Sequence, residues 1–546
     1  MTLSRLLSLP LVAVLLSAAP APAAPDAAAA ARVRGHIEFL ADDLLEGRGT
    51  GTRGHEIAAS YVASQFRALG LEPAGDNGGW YQWVPLRRAR LVEGHNRIAM
   101  STGGAFAPVS EFDMGLRPSL TEKTRDIDAG MVFVGYGISD KRLGLEDYAG
   151  LDVRGKIVVL LGGVPANLPT EIAAHLGADK VRAAAAHGAI GMLEIGGRRA
   201  AAPAATGRPP VSLYSKRPAI DWIDKAGVSG DDSGSVRVSL SATRAMQERL
   251  FAGAAKSLDA VQAEAKTKGV RPRGFALRPR LSIHSESTFE DFRSPEVVAR
   301  LPGADPRLAN QNIVLMGHLD HLGLSTNVKP GGDIINNGAL DNAAGVATML
   351  EAAHAFVASG KPPRRSVLFI ANTGEELGLL GADYFASHPT VPAASIVGLV
   401  DLDMPLLLYP FSDVIAFGAD HSTVAKAVAA AGRSMGVAVS PDPMPEQSIF
   451  VRSDHYRFVT RGVPAILLMT GYANGGEKQW KNFLANVYHS PADDLSQKID
   501  WNAAARYGEL NYRISRDLAD ADQRPLWYRG DYFGDRFAPS APRATR

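Results

Sequence analysis

Asn312-Ile313-Val314-Leu315-Met316-Gly317-His318-Leu319-Asp320 is an apolar run that ends on a histidine and an aspartate, and its reading decides the fold. So short an apolar run reads as a buried strand, which places its last polar residues at a sheet edge. The same grammar repeats downstream. A helix is expected over 343–359, with Val346, Met349, Leu350, Ala353 and Phe356 facing a core, then a strand over 365–373, a helix over 377–387 and a strand over 395–403. A strand at 414–417, a helix near 421–434 and a strand at 465–469 continue the rhythm. Strand alternating with helix predicts an α/β fold: a doubly wound, mostly parallel sheet flanked by helices, whose active sites form at the C-terminal strand edges.

His318, Glu376 and Asp403 all fall at or just beyond such an edge. His318 and Asp320 are two apart on a strand end, so both project to one face, where the Asp320 carboxylate can accept the second imidazole N–H and fix its tautomer. In Asn337-Gly338-Ala339-Leu340-Asp341-Asn342-Ala343-Ala344-Gly345 an aspartate precedes a helix. It can cap that helix, or with two free oxygens it can bridge two cations about 3.5–4 Å apart. Thr373-Gly374-Glu375-Glu376-Leu377 sets two carboxylates side by side after a buried strand, so that one can ligate a metal while the other faces a reacting water. Asp403 ends the next strand, with Asp401 as a rival two residues deeper. A carboxylate at a core rim is costly unless it is paired or metal-bound. His489, in Val487-Tyr488-His489-Ser490-Pro491, sits in a loop before a helix.

The rest of the chain bounds the chemistry. It has 546 residues, 46% of them hydrophobic, and a formal net charge of +1 with acids and bases interleaved, so there is no basic stripe for nucleic acid. Absence of cysteine excludes disulfides, thiolate metal sites and cysteine nucleophiles, so any metal is held by His, Asp and Glu. No HExxH occurs and no GxSxG elbow supports a serine hydrolase, which leaves a thermolysin-like or serine-hydrolase reading without support. Residues 1–24 have the form of a cleaved signal peptide: Arg5, an apolar run over 6–16, then Ala21-Pro22-Ala23. That run is well short of the roughly 20 residues that span a bilayer, so the expected product is exported to the periplasm or medium without stable membrane insertion. Helices are expected at 36–40 and 56–69. The intervening Gly49-Thr50-Gly51-Thr52-Arg53-Gly54 lacks the preceding strand of a dinucleotide site and reads as a flexible connector. Short strands over 130–138, 155–161 and 189–193 and an Ala-rich helix over 179–187 make a small mixed α/β unit.

Taken in chain order, Gly317-His318-Leu319-Asp320-His321-Leu322-Gly323, Gly338-Ala339-Leu340-Asp341-Asn342, Gly374-Glu375-Glu376, Leu402-Asp403-Met404 and Tyr488-His489-Ser490-Pro491 resemble the co-catalytic dizinc aminopeptidase family that includes aminopeptidase Y, bacterial leucyl aminopeptidases and glutamate carboxypeptidase. The resemblance implies a peptidase domain built from 25–118 and 276–522, an inserted protease-associated domain over 119–275, and a tail over 523–546. It implies two Zn2+, one on His318 and Asp403, the other on Glu376 and His489, with Asp341 bridging. Glu375 is then the general acid/base and Asp320 the partner of His318, with a cis peptide between Asp341 and Asn342. The implied activity is release of N-terminal residues from peptide substrates. Carboxypeptidase action is the neighbouring alternative, for which Arg452 is the one cationic candidate. A catalytically inactive receptor-like protein is the alternative from another class, against which all five ligand positions and the base are filled. Some relatives carry a tyrosine where this chain has Phe450, while Arg452 and His455 are candidate pocket residues and His321 is left without a ligand slot.

Overall fold

The computed structural model describes residues 26–196, 212–230, 233–325 and 331–546. The leader expected over 1–24 lies outside them. No helix among the described residues is long and apolar enough to cross a membrane.

The elements that build the large sheet and its cover are α1 (Ala27–Leu40), α2 (Arg53–Ala68), β1 (Tyr81–Leu91), β2 (Phe275–Leu301), β3 (Asn312–His318), α3 (Ala344–Ala358), β4 (Ser366–Asn372), β5 (Ile396–Asp401), β6 (Asp413–Phe417), β7 (Ala465–Thr470) and α4 (Trp501–Asp520). Spatially the strands run β1-β2-β4-β3-β5-β7-β6. The four central strands are parallel, while β2 and β6 join them antiparallel. Every residue of β3, β4, β5 and β7 is buried, as parallel strands covered on both faces must be. The five α3 residues expected to face the core are all at most 2% exposed. Helices α1, α3 and α4 pack on one another and seal this core.

A second, smaller sheet has the order Ala107–Val109, Arg97–Ser101, the first part of β2, Thr124–Phe133, Ile157–Leu161, Gly191–Ile195, Val238–Ala242 and Met114–Leu116. Three of its strands therefore precede position 119, where the inserted unit was expected to begin. They are only three to five residues long and leave too little alternation to read in the sequence. Strand β2 is continuous for 27 residues and serves both sheets: residues 275–286 pair in the small one and 287–301 in the large one.

The small sheet is also fastened to the large-sheet core through the helix Thr170–Ala178 and the C-terminal tail. Glu171 accepts the Gly418 N–H at 2.8 Å and a hydrogen bond from His421 Nε2, while Asp531 of the tail accepts from His421 Nδ1. Phe533 and His175 pack beside this junction, and the Trp527 indole donates to the Gly462 carbonyl. Burial works against a charged His421, but the hydrogen bonds to Asp531 and Glu171 overcome it and push the imidazole up to about 9. Because the folded value lies above the ordinary 6.5, the stability this ion triplet contributes is complete below about pH 6.5 and is lost as pH rises through about 9. Thermal unfolding of wild type and His421→Leu should accordingly differ by a few degrees near pH 6, and the gap should narrow above pH 9. A gap independent of pH would contradict the charged triplet.

Candidate metal centre

The C-terminal ends of β3, β4 and β5 meet two loops, 337–343 and 487–493, and bring all of the expected donors together. His318 ends β3 and is 1% exposed. Its Nδ1–H donates to the backbone carbonyl of Asp320 at 3.0 Å, since that oxygen can only accept. Nε2 is thereby turned to Asp403 Oδ1 at 3.1 Å and Asp341 Oδ1 at 3.2 Å. The other Asp341 oxygen lies 3.4 Å from His489 Nε2, which is also 3.2 Å from Glu376 Oε2. Asp341 thus offers one oxygen to each histidine. Donor atoms fall into three overlapping groups, each within 4.8 Å: His318/Asp341/Asp403, His321/Asp341/Glu376 and His318/Glu375/Glu376. Imidazole and carboxylate donors at such spacing suit zinc.

Charge explains the tension in the site. Burial opposes ionisation of Asp341, yet hydrogen bonds from His318 and His489 hold its carboxyl well below the usual range. Burial and Asp341 both oppose ionisation of Glu376, but His321 and His489 bring it to about 2. In turn His489, against its burial, is pushed up to about 10 by Asp341 and Glu376. The carboxylates draw positive charge onto the imidazoles, the same demand that metal cations satisfy. Glu375 differs: burial, with Asp403 and Glu376 beside it, raises its carboxyl well above the usual range.

Asp320 does not use its carboxylate on His318, contrary to the geometry expected from the two-residue spacing. Oδ1 accepts the backbone N–H of Glu375 at 3.2 Å and Oδ2 accepts the Thr50 hydroxyl at 2.7 Å. The histidine is satisfied instead by the main chain of the same residue. Asp401, the rival to Asp403, accepts from Ser453 Oγ at 2.7 Å and the His455 N–H at 3.0 Å, so it ties down a loop and belongs to none of the donor groups.

Several supporting residues carried no signal in the sequence. Arg48, 1% exposed, donates to the carbonyls of Leu319, Asn337 and Gly338 and joins the β3 end to the Asp341 loop. Gly49 bridges to His321, so the glycine-rich segment 49–54 is a fixed part of the site's floor and not a flexible connector. Asp493 accepts the N–H groups of Leu340 and Asp341 at 2.9 and 3.0 Å. It follows His489 by four residues, and that shared loop was the available clue. His321, fully buried, has Nδ1 2.5 Å from Glu376 Oε1 and contacts the cluster after all. Phe450 is buried against Phe533 and Tyr456 and does not reach the cavity. Tyr488 does: it stacks on His489 at 3.7 Å and lines a cleft of about 170 Å³ together with Asp341, Glu375 and Asp403 and the apolar Met404, Met444, Ile449, Leu467, Trp480 and Leu484.

Asn342 locks the centre from beneath. The peptide preceding it is cis, its Nδ2 donates to the Leu402 carbonyl at 2.9 Å, and its Oδ1 accepts the N–H groups of Gly345 and Met404.

A parallel α/β sheet whose strand ends gather histidines and carboxylates in overlapping donor groups is an arrangement that could hold divalent metal ions. Residues 296–515 match the sequence profile of Peptidase family M28. The chain is 28% identical over 215 residues to leupeptin-inactivating enzyme 1 of Streptomyces exfoliatus, covering 37% of this chain and 44% of that protein. It is 34% identical over 98 residues to a vacuolar membrane protease of Yarrowia lipolytica, covering 18% of this chain and 9% of that protein. Among solved structures, the aminopeptidase from Aneurinibacillus sp. strain AM-1 superposes with a TM-score of 0.48 at 20% identity, covering 92% of this chain and 97% of that one. The zinc aminopeptidase BSAP from Bacillus subtilis gives 0.41 at 16%, covering 90% and 95%.

A Cβ at position 345 would stand 2.1 Å from Asn342 Oδ1 and 2.2 Å from the Leu402 carbonyl. Gly345→Ala should therefore displace the Asn342 bracket and cost about 1–3 kcal/mol or more. The readout is the denaturation midpoint, and an unchanged midpoint would show that the bracket yields freely.

Proposed function

We propose that the protein is an exported, zinc-dependent aminopeptidase that releases N-terminal residues from peptides. The observation that carries the reading is the position of Asp341 between two histidines, one oxygen 3.2 Å from His318 and the other 3.4 Å from His489. A bridging carboxylate is what a co-catalytic pair of cations needs. His318 with Asp403 and Glu376 with His489 would hold one zinc each with Asp341 shared, and the ions would supply Lewis acidity toward a water and the scissile carbonyl.

The chain's own residues carry the remaining work. Glu375 lines the cleft and is pinned through its N–H on Asp320, so its carboxyl is aimed without ligating. Its carboxylate takes the proton of the attacking water and returns it to the leaving amine, and burial, which raises the carboxyl, makes the ionised form a stronger proton acceptor. The Tyr488 hydroxyl, kept protonated by burial and by Asp341, is the neutral donor to the carbonyl oxygen as that oxygen gains charge, the part Phe450 cannot play. The apolar wall formed by Met404, Met444, Ile449, Leu467, Trp480 and Leu484 favours an apolar side chain at the cleaved residue. The small sheet is read as a protease-associated domain, and the signal-like start of the sequence supports export.

Two substitutions separate the assigned roles. Glu375→Gln should retain two equivalents of zinc while losing about 10²–10⁴-fold in turnover, and a fully active variant would sink the acid/base assignment. Glu376→Ala should lose bound zinc by elemental analysis, so full occupancy would rule Glu376 out as a ligand. The activity itself is tested with leucine anilide and its N-acetyl form. The free amine should be cleaved in a chelator-sensitive way and the blocked one should not.

A further inference from the structure

The cleft has two electrical poles. Asp341, Glu375 and Asp403 mark one, and the other is Arg452, the one arginine or lysine among the described residues lining it. Arg452 is exposed, and the hydrogen bonds of its guanidinium go to uncharged oxygens: Nη1 to the Gln447 carbonyl at 3.2 Å and Nη2 to the Tyr488 hydroxyl at 3.4 Å. Arg364 and Arg516, by contrast, are paired with carboxylates, the first with Asp305 and Asp522 and the second with Asp520. A planar guanidinium fork beside a phenol hydroxyl is a receptor for a carboxylate.

Distance narrows which carboxylate. The Tyr488 ring stacks on His489 at 3.7 Å and its hydroxyl accepts from Arg452 at 3.4 Å, so one aromatic side chain separates Arg452 from the donor cluster. An extended peptide advances about 3.3–3.6 Å per residue, so a group meeting Arg452 belongs to the first or second residue beyond the scissile bond. A cationic fork within two residues of the scissile bond matches the free carboxylate of a short peptide.

Resting on the aminopeptidase reading, we propose that Arg452 binds the free C-terminal carboxylate of di- and tripeptides and makes these the preferred substrates over longer chains. The same carboxylate chemistry could be offered by an acidic side chain just past the cleaved bond, so the test includes both sources. Leu-Ala and Leu-Ala-Ala are compared with their C-terminal amides, with Leu-Glu-amide and with N-acetyl-Leu-Ala, using the zinc-loaded full chain of wild type, Arg452→Gln and Arg452→Lys. The free acids should exceed their amides by about tenfold in kcat/KM, chiefly through KM. That ratio should fall to about one in Arg452→Gln and be partly kept in Arg452→Lys. Equal cleavage of acids and amides by wild type overturns the proposal without any variant, as does a ratio unchanged in Arg452→Gln. An advantage confined to Leu-Glu-amide overturns the C-terminal assignment in favour of a side-chain carboxylate. Cleavage of N-acetyl-Leu-Ala on a par with Leu-Ala, or of no free peptide at all, instead overturns the aminopeptidase reading on which the proposal rests.

Discussion

Concentrated negative charge at one sheet edge is the constraint around which the rest of this molecule is arranged. Asp341, Glu375, Glu376 and Asp403 converge where β3, β4 and β5 end, and charges withdrawn from water cost several kcal/mol each unless they are paired. The protein meets that cost in layers. Imidazoles of His318, His321 and His489 face the carboxylates directly. Beneath them Arg48, though burial pulls it down to about 10, stays cationic with Asp493, Asp320, Asp341 and Glu376 around it. A sheet edge built this way is stable in one arrangement only, because each carboxylate that turned away would leave a cation or an N–H without its partner.

Main-chain contacts hold that arrangement. Asp320 fixes Glu375 by its N–H, Asp493 fixes Asp341 by its N–H, and Asn342 closes the Leu402–Met404 turn by hydrogen bonds to the backbone on both sides. Orientation by backbone contact leaves the carboxylate oxygens of Asp341 and Glu375 available for chemistry. It also makes the donor loops mutually dependent, since the loop that carries His489 is the one whose Asp493 seats Asp341.

The strands and helices that position the centre were legible because buried parallel strands are continuous apolar runs, and β3, β4, β5 and β7 are read directly from Ile313 to Met316, Val367 to Ala371, Val397 to Val400 and Ile466 to Met469. Ligand-type residues at their ends were legible by position. What escaped were partners drawn from distant sequence. Arg48 and Thr50 lie about 270 residues before the atoms they hold, and neither has a residue type or spacing that announces the role. The Asp320 expectation failed for a related reason: side chains two apart share a face, but the nearer acceptor for His318 was a carbonyl, which every residue carries. Similarly, the 27-residue β2 exceeds the usual strand of five or six residues and gives no internal punctuation where it passes from one sheet to the other.

That continuous β2 sets a limit on dissection. A module joined through two loops can be excised as a cassette, whereas the small sheet shares a strand with the large one, with pairing to β1 beginning at Ser287 immediately after pairing to Thr124 ends at Glu286. Any truncation that removed the smaller sheet would cut through a strand the larger one also uses.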